Sequence, residues 1–510
     1  MLKPISLVGE QRRVLFLPQQ NPIQIKGVAG SGKTTVALYR AKHLIETFSN
    51  LFQEPKVIIF TFNKSLVSYI KQLLPNIPGG HQQNTEELKK GVPKGLNVTV
   101  SNFHKWAYDF LESRGYELYV RNRIAEEQLI ESYIATAILS VRSKYPTSNI
   151  LNKRIEFYKE EISWIKGKLF KSETDYINAK RIGRGTTDRV SEPDKKIIWS
   201  VYSAYQGILK QDDKLDFNDF ALKALDEIEN DKSFKPPYTH MVIDEAQDLN
   251  KAQILVLKKL VSEEIYSITL IADAAQRIYK SGFSWSEVGI SVAGGRTIEL
   301  KKNYRNTVEI ASAAMSLLDH DEDKGEFTEV QQPNRHGSKP ILSGFYAWDK
   351  QLNFIAEEIE RIDYKTSSTV LLHRKRSLLN NIKAKLGEKG VASEIIGGRG
   401  FTDYSAPTVK ICTLSSIKGL EFDNVFIIDL NDSIIPYPEG FNDLDDEFHI
   451  TTERRLLYTA MTRAINRLYL TYTGKQSRYI DELNKGLFIV TDTEETIKNI
   501  AAEPEDDLPY

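Results

Sequence analysis

The sequence holds one cysteine, Cys412, in 510 residues. That scarcity excludes a disulfide framework and any thiolate metal cluster. Cys412 itself falls in a strand-like apolar run, 409–414, where a thiol serves as a small buried hydrophobe. Net charge is lacking too: 68 Lys and Arg stand against 69 Asp and Glu, leaving −1. Any nucleic-acid contact must then come from local basic surface, not from a global field. No apolar run approaches the roughly 20 residues that span a bilayer. The opening Met1-Leu2-Lys3-Pro4 lacks the apolar stretch of a signal peptide. The eight histidines show no metal-ligand spacing, and no internal repeat or low-complexity tract is found. A reducing cytoplasm is the expected setting.

What is present is ordinary in bulk, with 41% apolar and 27% charged residues, and the length suits roughly two to four domains. Short apolar strands alternate with helical runs at both ends of the chain. Residues 57–60 precede a helix-like 64–74, and a helix-like 251–260 precedes 267–272, the signature of parallel α/β layers. Between Trp106 and Leu215 the chain is charged and aromatic with helical periodicity, and reads as a helical insertion. A second α/β unit follows, with strand candidates at 369–372, 409–414 and 425–428. The expected organisation is a first unit from 1–105 and 215–294, an insertion at 106–214, a second unit at 295–474 and a C-terminal segment at 475–510. Residues 77–95 read as an exposed loop, and the acidic tail at 501–510 as disordered.

The chemistry is concentrated in a few segments. Gly27-Val28-Ala29-Gly30-Ser31-Gly32-Lys33-Thr34 is a complete G-x-x-x-x-G-K-[ST] loop between an apolar strand candidate and a helical run. Its glycines free successive N–H groups to wrap a triphosphate. Lys33 would reach the β and γ phosphates, and Thr34 would ligate Mg2+. Some 200 residues on, the apolar strand 241–243 delivers Asp244-Glu245-Ala246-Gln247-Asp248. There Asp244 would hold the same ion and Glu245 would polarise the attacking water. Asp273-Ala274-Ala275-Gln276-Arg277 ends another strand, so Gln276 could bond both a γ-phosphate and a water; taken alone it is a solvated loop residue. Arg305 and Arg463 lie in the second unit. An arginine supplied by a facing element adds about 10³ to 10⁵ in rate to phosphoryl transfer. Without that context, each reads equally as a helix-surface arginine.

In order and wording these segments resemble a superfamily 1 helicase of the UvrD/PcrA/Rep branch, over nearly the whole span from Leu7 to Thr473. Leu7-Val8-Gly9-Glu10-Gln11 is similar to the Q motif, which implies that Gln11 reads the adenine edge. Phe60-Thr61-Phe62-Asn63-Lys64 and Ser101-Asn102-Phe103-His104 resemble the two segments that hold single-stranded DNA, implicating Thr61, Asn63, Phe103 and His104. Leu215-Asp216-Phe217-Asn218-Asp219-Phe220 resembles the segment that returns from the insertion. Asn303-Tyr304-Arg305-Asn306 resembles the one whose tyrosine stacks on adenine and whose arginine meets the γ-phosphate. The run from Thr413 to Phe422 resembles T-x-H-x-x-K-G-L-E-F, which places Glu421 at the nucleotide, and 458–464 resembles the arginine-finger segment. The nucleotide set so implied is Gln11, Gly27, Gly30, Ser31, Gly32, Lys33, Thr34, Thr35, Tyr304 and Glu421.

Three departures qualify the likeness. Ser415 or Ser416 stands where the family has histidine. After Gln276 the family's G-W/F-R is replaced by Lys280-Ser281-Gly282-Phe283-Ser284-Trp285, so the base-stacking aromatic is Phe283 or Trp285, with Phe283 favoured. Finally, Ile395-Ile396-Gly397-Gly398 runs almost directly into the strand at Val409, leaving no room for the auxiliary 2B domain, and the sequence stops too soon after Arg463 for a nuclease domain. Basic clusters at Arg374 to Arg376 and at Lys180, Arg181, Arg184 and Arg189 read either as DNA contacts or as solvated surface.

The resemblance implies an α/β fold: two RecA-like P-loop motor domains, parallel sheets flanked by helices, with a mostly helical insertion in the first. It implies an ATP- and Mg2+-dependent 3′→5′ translocase on single-stranded DNA or a 3′-tailed duplex, acting in repair or anti-phage defence, without a membrane. The alternative is a DNA-stimulated ATPase switch that does not unwind and partners a separate nuclease. An RNA motor keeps the same ATPase and changes the track.

Overall fold

The structure is a computed structural model. It describes residues 6–48, 54–61, 63–74, 98–179, 190–273, 283–321, 324, 329–397, 402–432, 434–436 and 447–492. Gln276, the basic residues at 180–189, the loop at 77–95 and the acidic tail all lie outside the described residues.

The first sheet has six strands: β1 (Ile23–Gly27), β2 (Val57–Thr61), β3 (Val98–Asn102), β4 (His240–Ile243), β5 (Ser267–Ala272) and β6 (Thr297–Leu300). Their order is β3-β2-β4-β5-β1-β6, and every pairing is parallel. Strands β2, β4 and β5 are buried along their whole length. Near-continuous apolar runs of this kind need helices on both faces.

The second sheet has seven strands: β7 (Ile341–Phe345), β8 (Thr369–His373), β9 (Ser393–Ile395), β10 (Val409–Thr413), β11 (Phe422–Ile427), β12 (Ala464–Thr473) and β13 (Ile489–Asp492). The order is β13-β7-β12-β11-β8-β10-β9, again all parallel. These are two RecA-like domains. Buried residues of both, among them Ile25, Leu66 and Tyr69 of the first and Ile310, Tyr404 and Leu420 beyond it, form one contiguous apolar cluster. Among the described residues, no helix is long and apolar enough to cross a membrane.

Three expected boundaries move. Residues 297–300, assigned from sequence to the second unit, pair with β1 in the register Gln24 to Thr297 and close the first sheet's edge. The short alternating burial of that strand is too weak a pattern to reveal its partner. Ile489–Asp492 pairs with β7, so the second sheet extends past 474. The helix Phe103–Ser113 packs Ala107 and Leu111 against Ile58, Phe60 and Met241, so residues 106–113 belong to the first sheet's core.

The insertion has a core of its own, built by the helices Glu127–Arg142, Ile155–Lys168, Glu173–Asn178 and Glu192–Gln211. Its neck is closed by a parallel bridge between Ile124 and Leu215. Behind the neck, buried Lys166 bonds Asp216 at 2.7 Å and Asp219 at 2.6 Å, and Tyr205 donates to Asp216 at 2.8 Å. Breaking such a buried pair costs about 3–5 kcal/mol, so the insertion is pinned to its stem.

Candidate active site at the domain cleft

The loop after β1 turns through two glycines in the left-handed region, Gly30 (φ 74°) and Gly32 (φ 78°), and Gly32 caps the helix Lys33–Thr47. A Cβ at Gly30 would lie 2.1 Å from Asn303 Oδ1, and one at Gly32 would lie 2.3 Å from Gln11 Nε2. The loop is therefore shaped as much by its neighbours as by its own conformation. Gln11 is buried; its Oε1 accepts from Val8 N–H at 2.9 Å and its Nε2 donates to the Ser31 carbonyl at 2.8 Å. Tyr304 donates its N–H to the Gly30 carbonyl at 2.9 Å, and its hydroxyl accepts from Glu10 N–H at 3.3 Å. The two residues expected at the adenine thus meet across the same short segment. Thr35 stands half-buried in the first turn of the helix.

Lys33 turns back onto its own loop. Its ammonium donates to the carbonyls of Gly27 and Val28, each at 3.0 Å, and to Asp273 at 2.9 Å. Thr34 Oγ1 donates to Asp244 Oδ2 at 2.9 Å. Burial and the charge of Glu245 push the Asp244 carboxyl up to about 6. Burial acts on Glu245 in the same direction but is outweighed by the cations Lys418, Lys33 and Arg463, which hold it down to about 2. Glu245 sits at φ 56°, and Gln247 Nε2 donates to its Oε2 at 2.6 Å. The ionised form needed to polarise a water is therefore the resting form.

Two arginines arrive together from the second domain. Asn303 accepts from the N–H groups of Arg305 (3.0 Å) and Asn306 (3.1 Å), folding the Asn-Tyr-Arg-Asn loop on itself. Asn306, wholly buried, then donates to the carbonyls of Thr462 at 3.1 Å and Ala464 at 2.5 Å, the residues flanking Arg463. Arg305 is held by Glu421 at 2.8 Å. Arg463 is 3% exposed, and burial together with neighbouring Arg305 lowers its guanidinium to about 10. A buried cation so close to a second one is costly unless something anionic is to be met there.

Sequence reasoning did not single out several residues that build this site. Asp273 is the partner of Lys33. Arg40, 1% exposed, donates to the carbonyls of Val14 (3.3 Å), Leu17 (3.0 Å) and Pro18, and so fixes the segment carrying Gln11. Lys418 reaches across the cleft to Glu245 and Asp248. Asp273, at a strand's end beside the loop, was the one most open to discovery; a surface-type residue such as Arg40 in a helix gives no signal.

The expected nucleic-acid residues divide. Thr61 is buried at the end of β2, and its hydroxyl has no hydrogen-bond partner among the described residues. Asn63 caps the helix Lys64–Leu73 by accepting from Leu66 N–H at 2.7 Å, and its amide donates to the Lys418 carbonyl at 3.4 Å. His104 is half-buried, its ring 5.4 Å from that of Phe217, which is 50% exposed. Phe283 is half-buried against Trp285, ring centroids 5.6 Å apart. Two of the expected residues are engaged in other contacts. The Phe103 ring is 2% exposed and packs in the first sheet's core, because the helix begins there and turns it inward. Arg374 is gripped by Glu453 through two hydrogen bonds of 2.8 and 2.9 Å.

Residues 7–288 match the UvrD/REP helicase N-terminal domain, and residues 298–405 and 401–475 match the UvrD-like helicase C-terminal domain. Similar curated proteins include a probable DNA helicase II homolog of Mycoplasma capricolum, 22% identical over 94% of this chain and 65% of that protein. The ATP-dependent DNA helicase srs2 of Schizosaccharomyces pombe is 24% identical over 78% of this chain and 45% of its own length. The ATP-dependent DNA helicase PcrA of Leuconostoc citreum is 22% identical over 75% and 49%. The chain thus spans between about half and two thirds of the length of these relatives.

Proposed function

The chain belongs to the UvrD/REP helicase family, and we propose on that footing that it is an ATP-driven 3′→5′ motor on single-stranded DNA. The observation that carries this reading is the split site: the phosphate loop and Glu245 lie in the first domain, while Arg305, Arg463 and Lys418 come from the second. Neither half is competent alone, so ATP turnover is tied to domain closure.

In this reading Lys33 leaves the loop carbonyls and Asp273 to meet the β and γ phosphates, and the buried Ser31 hydroxyl, without a hydrogen-bond partner among the described residues, faces the same charge. Thr34 and Asp244 would hold Mg2+, which neutralises phosphate charge and suits one or two carboxylate ligands. Glu245 orients the attacking water and accepts its proton. Arg305 and Arg463 stabilise the charge that develops on the γ-phosphate, and release of phosphate lets the cleft reopen. The strand would run past Thr61, Asn63, His104 and Phe217, gripped alternately with the Phe283 side. Gln276 remains a candidate sensor of the γ-phosphate.

One observation favours a second reading. The connection from β9 to β10 occupies only residues 396–408, with no auxiliary domain inserted there. An ATPase switch that partners a nuclease or other repair or defence protein would need none. Comparing ATP hydrolysis with single-stranded DNA, RNA and duplex, then unwinding of 3′- and 5′-tailed duplexes, separates these readings. DNA-stimulated hydrolysis with unwinding of the 3′-tailed substrate is expected. Stimulation without unwinding supports the switch, and unwinding of the 5′-tailed substrate alone rejects the polarity. Glu245→Gln should bind ATP yet lose about 10²- to 10⁴-fold in turnover; normal hydrolysis rejects its role.

A further inference from the structure

The short connection between β9 and β10 is fastened to the opposite domain. Gln72, near the end of the helix Lys64–Leu73, is 6% exposed and pairs with two backbone groups of that connection. Its Nε2 donates to the Thr402 carbonyl at 2.7 Å, and its Oε1 accepts from Tyr404 N–H at 3.0 Å. The side-chain amide thereby imitates the edge of a strand. Tyr404, 7% exposed, donates its hydroxyl to the Ser65 carbonyl at 3.1 Å and sets its ring edge-on to Tyr69, centroids 5.3 Å apart. From behind, buried Lys410 of β10 holds the same segment. It donates to the Asp403 carbonyl at 2.7 Å while paired with Glu394 of β9 at 2.8 Å.

We propose that Thr402–Tyr404 is an interdomain latch, and that Gln72 and Tyr404 are positioning residues for ATP turnover. The helix they grip begins at Asn63 and is met at its other end by Lys418 and Gly419. A Cβ on Gly419 would lie 2.4 Å from Leu66. The latch therefore completes a two-point attachment of the second domain to one helix of the first. Its inner face adjoins the arginine site: burial raises Tyr69, and the charges of Glu421 and Arg305 act on the same hydroxyl. Holding this face in register keeps Arg305 and Arg463 facing the phosphate loop, and biases the cleft toward the closed arrangement before ATP arrives.

The proposal rests on the motor reading, and the test separates the two. Gln72→Ala removes both backbone pairings without touching the nucleotide residues. It is expected to raise the KM for ATP about tenfold with kcat at saturation nearly unchanged, as a loosened closed state demands. Tyr404→Phe keeps the ring, loses the Ser65 bond and should fall between Gln72→Ala and the wild type. Fluorophores placed on the two domains should report a closed population without nucleotide in the wild type, reduced in Gln72→Ala. Unchanged KM and unchanged distance distributions in Gln72→Ala overturn the latch. A lower kcat with unchanged KM and a lower melting temperature also overturns it, showing packing alone. If the wild type hydrolyses no ATP with DNA, the motor reading fails, and the fluorophore comparison still decides the latch.

Discussion

Lys418, from the second domain, lies sealed in the first domain's carboxylate cluster, 3.7 Å from Glu245 and in closer contact with Asp248. Lysine and both acids are 2% exposed or less at the side chain. The cation has two jobs: it neutralises Asp248 and it keeps Glu245 ionised.

Lys418→Met should fill the same space and remove the cation that both carboxylates face. Stability should fall by about 3–5 kcal/mol, the cost of breaking a buried ion pair, and kcat should fall with it. Adding Asp248→Asn should recover much of the stability in urea unfolding while turnover stays low, because Glu245 still lacks the cation that lowers it most. Full recovery of both would show that Lys418 serves Asp248 alone.

Gly30 supplies a second expectation. At φ 74° a side chain is strained by about 1–2 kcal/mol, and here its Cβ would also strike Asn303. Gly115 has a similar φ of 83°, with no atom of the described residues within 4 Å of a Cβ. Gly115→Ala should therefore show the backbone cost alone, with ATP kinetics intact. Gly30→Ala should raise the KM for ATP in addition, by displacing the loop that carries Arg305. Equal kinetics in the two variants would remove Asn303 from the account.

How much of this was open to reading from sequence depends on where each residue's partner lies. The phosphate loop and the Asp244–Glu245 pair were legible because local context, an apolar strand before and a helix or tight turn after, dictates their placement. The parallel sheets were legible for the same reason, as buried runs such as Val57–Thr61 leave few other solutions. The contacts of Phe103 and Arg374 were not legible, because a motif gives residue types and not the direction in which a helix start or a neighbouring Glu453 turns them. Gln72 and Tyr404 were invisible. They lie more than 300 positions apart, and nothing local distinguishes a glutamine that will bond another domain's backbone from one that will face water.

Two histidines set a pH dependence. Burial lowers both His104 and His240 from 6.5 to about 4, with Arg40 adding to the effect at His240. Between those values the unfolded chain takes up protons that the folded chain refuses. Stability is therefore full above pH 6.5 and is lost as pH falls toward 4. For His240, which is wholly buried, the loss at pH 5 is roughly 2 kcal/mol. Urea midpoints at pH 7.5 and pH 5 should converge in His240→Asn relative to the wild type. An unaltered difference would assign the acid sensitivity elsewhere.

Phe217 and Phe103 both set their rings against His104 and should behave oppositely. Phe217 is 50% exposed, its ring between those of His104 and Phe220. Stacking is worth about 1–3 kcal/mol per base, so Phe217→Ala should weaken single-stranded DNA binding some five- to a hundredfold. Stability should change by no more than about 0.5 kcal/mol, as for other surface substitutions. Phe103→Ala opens a cavity beneath the sheet and should cost about 3–5 kcal/mol of stability, with DNA affinity preserved in whatever remains folded. Fluorescence anisotropy with a labelled oligonucleotide, paired with urea unfolding, distinguishes the two. Were Phe103→Ala to abolish binding at full stability, the track would have to run through the core side of this helix, which its burial forbids.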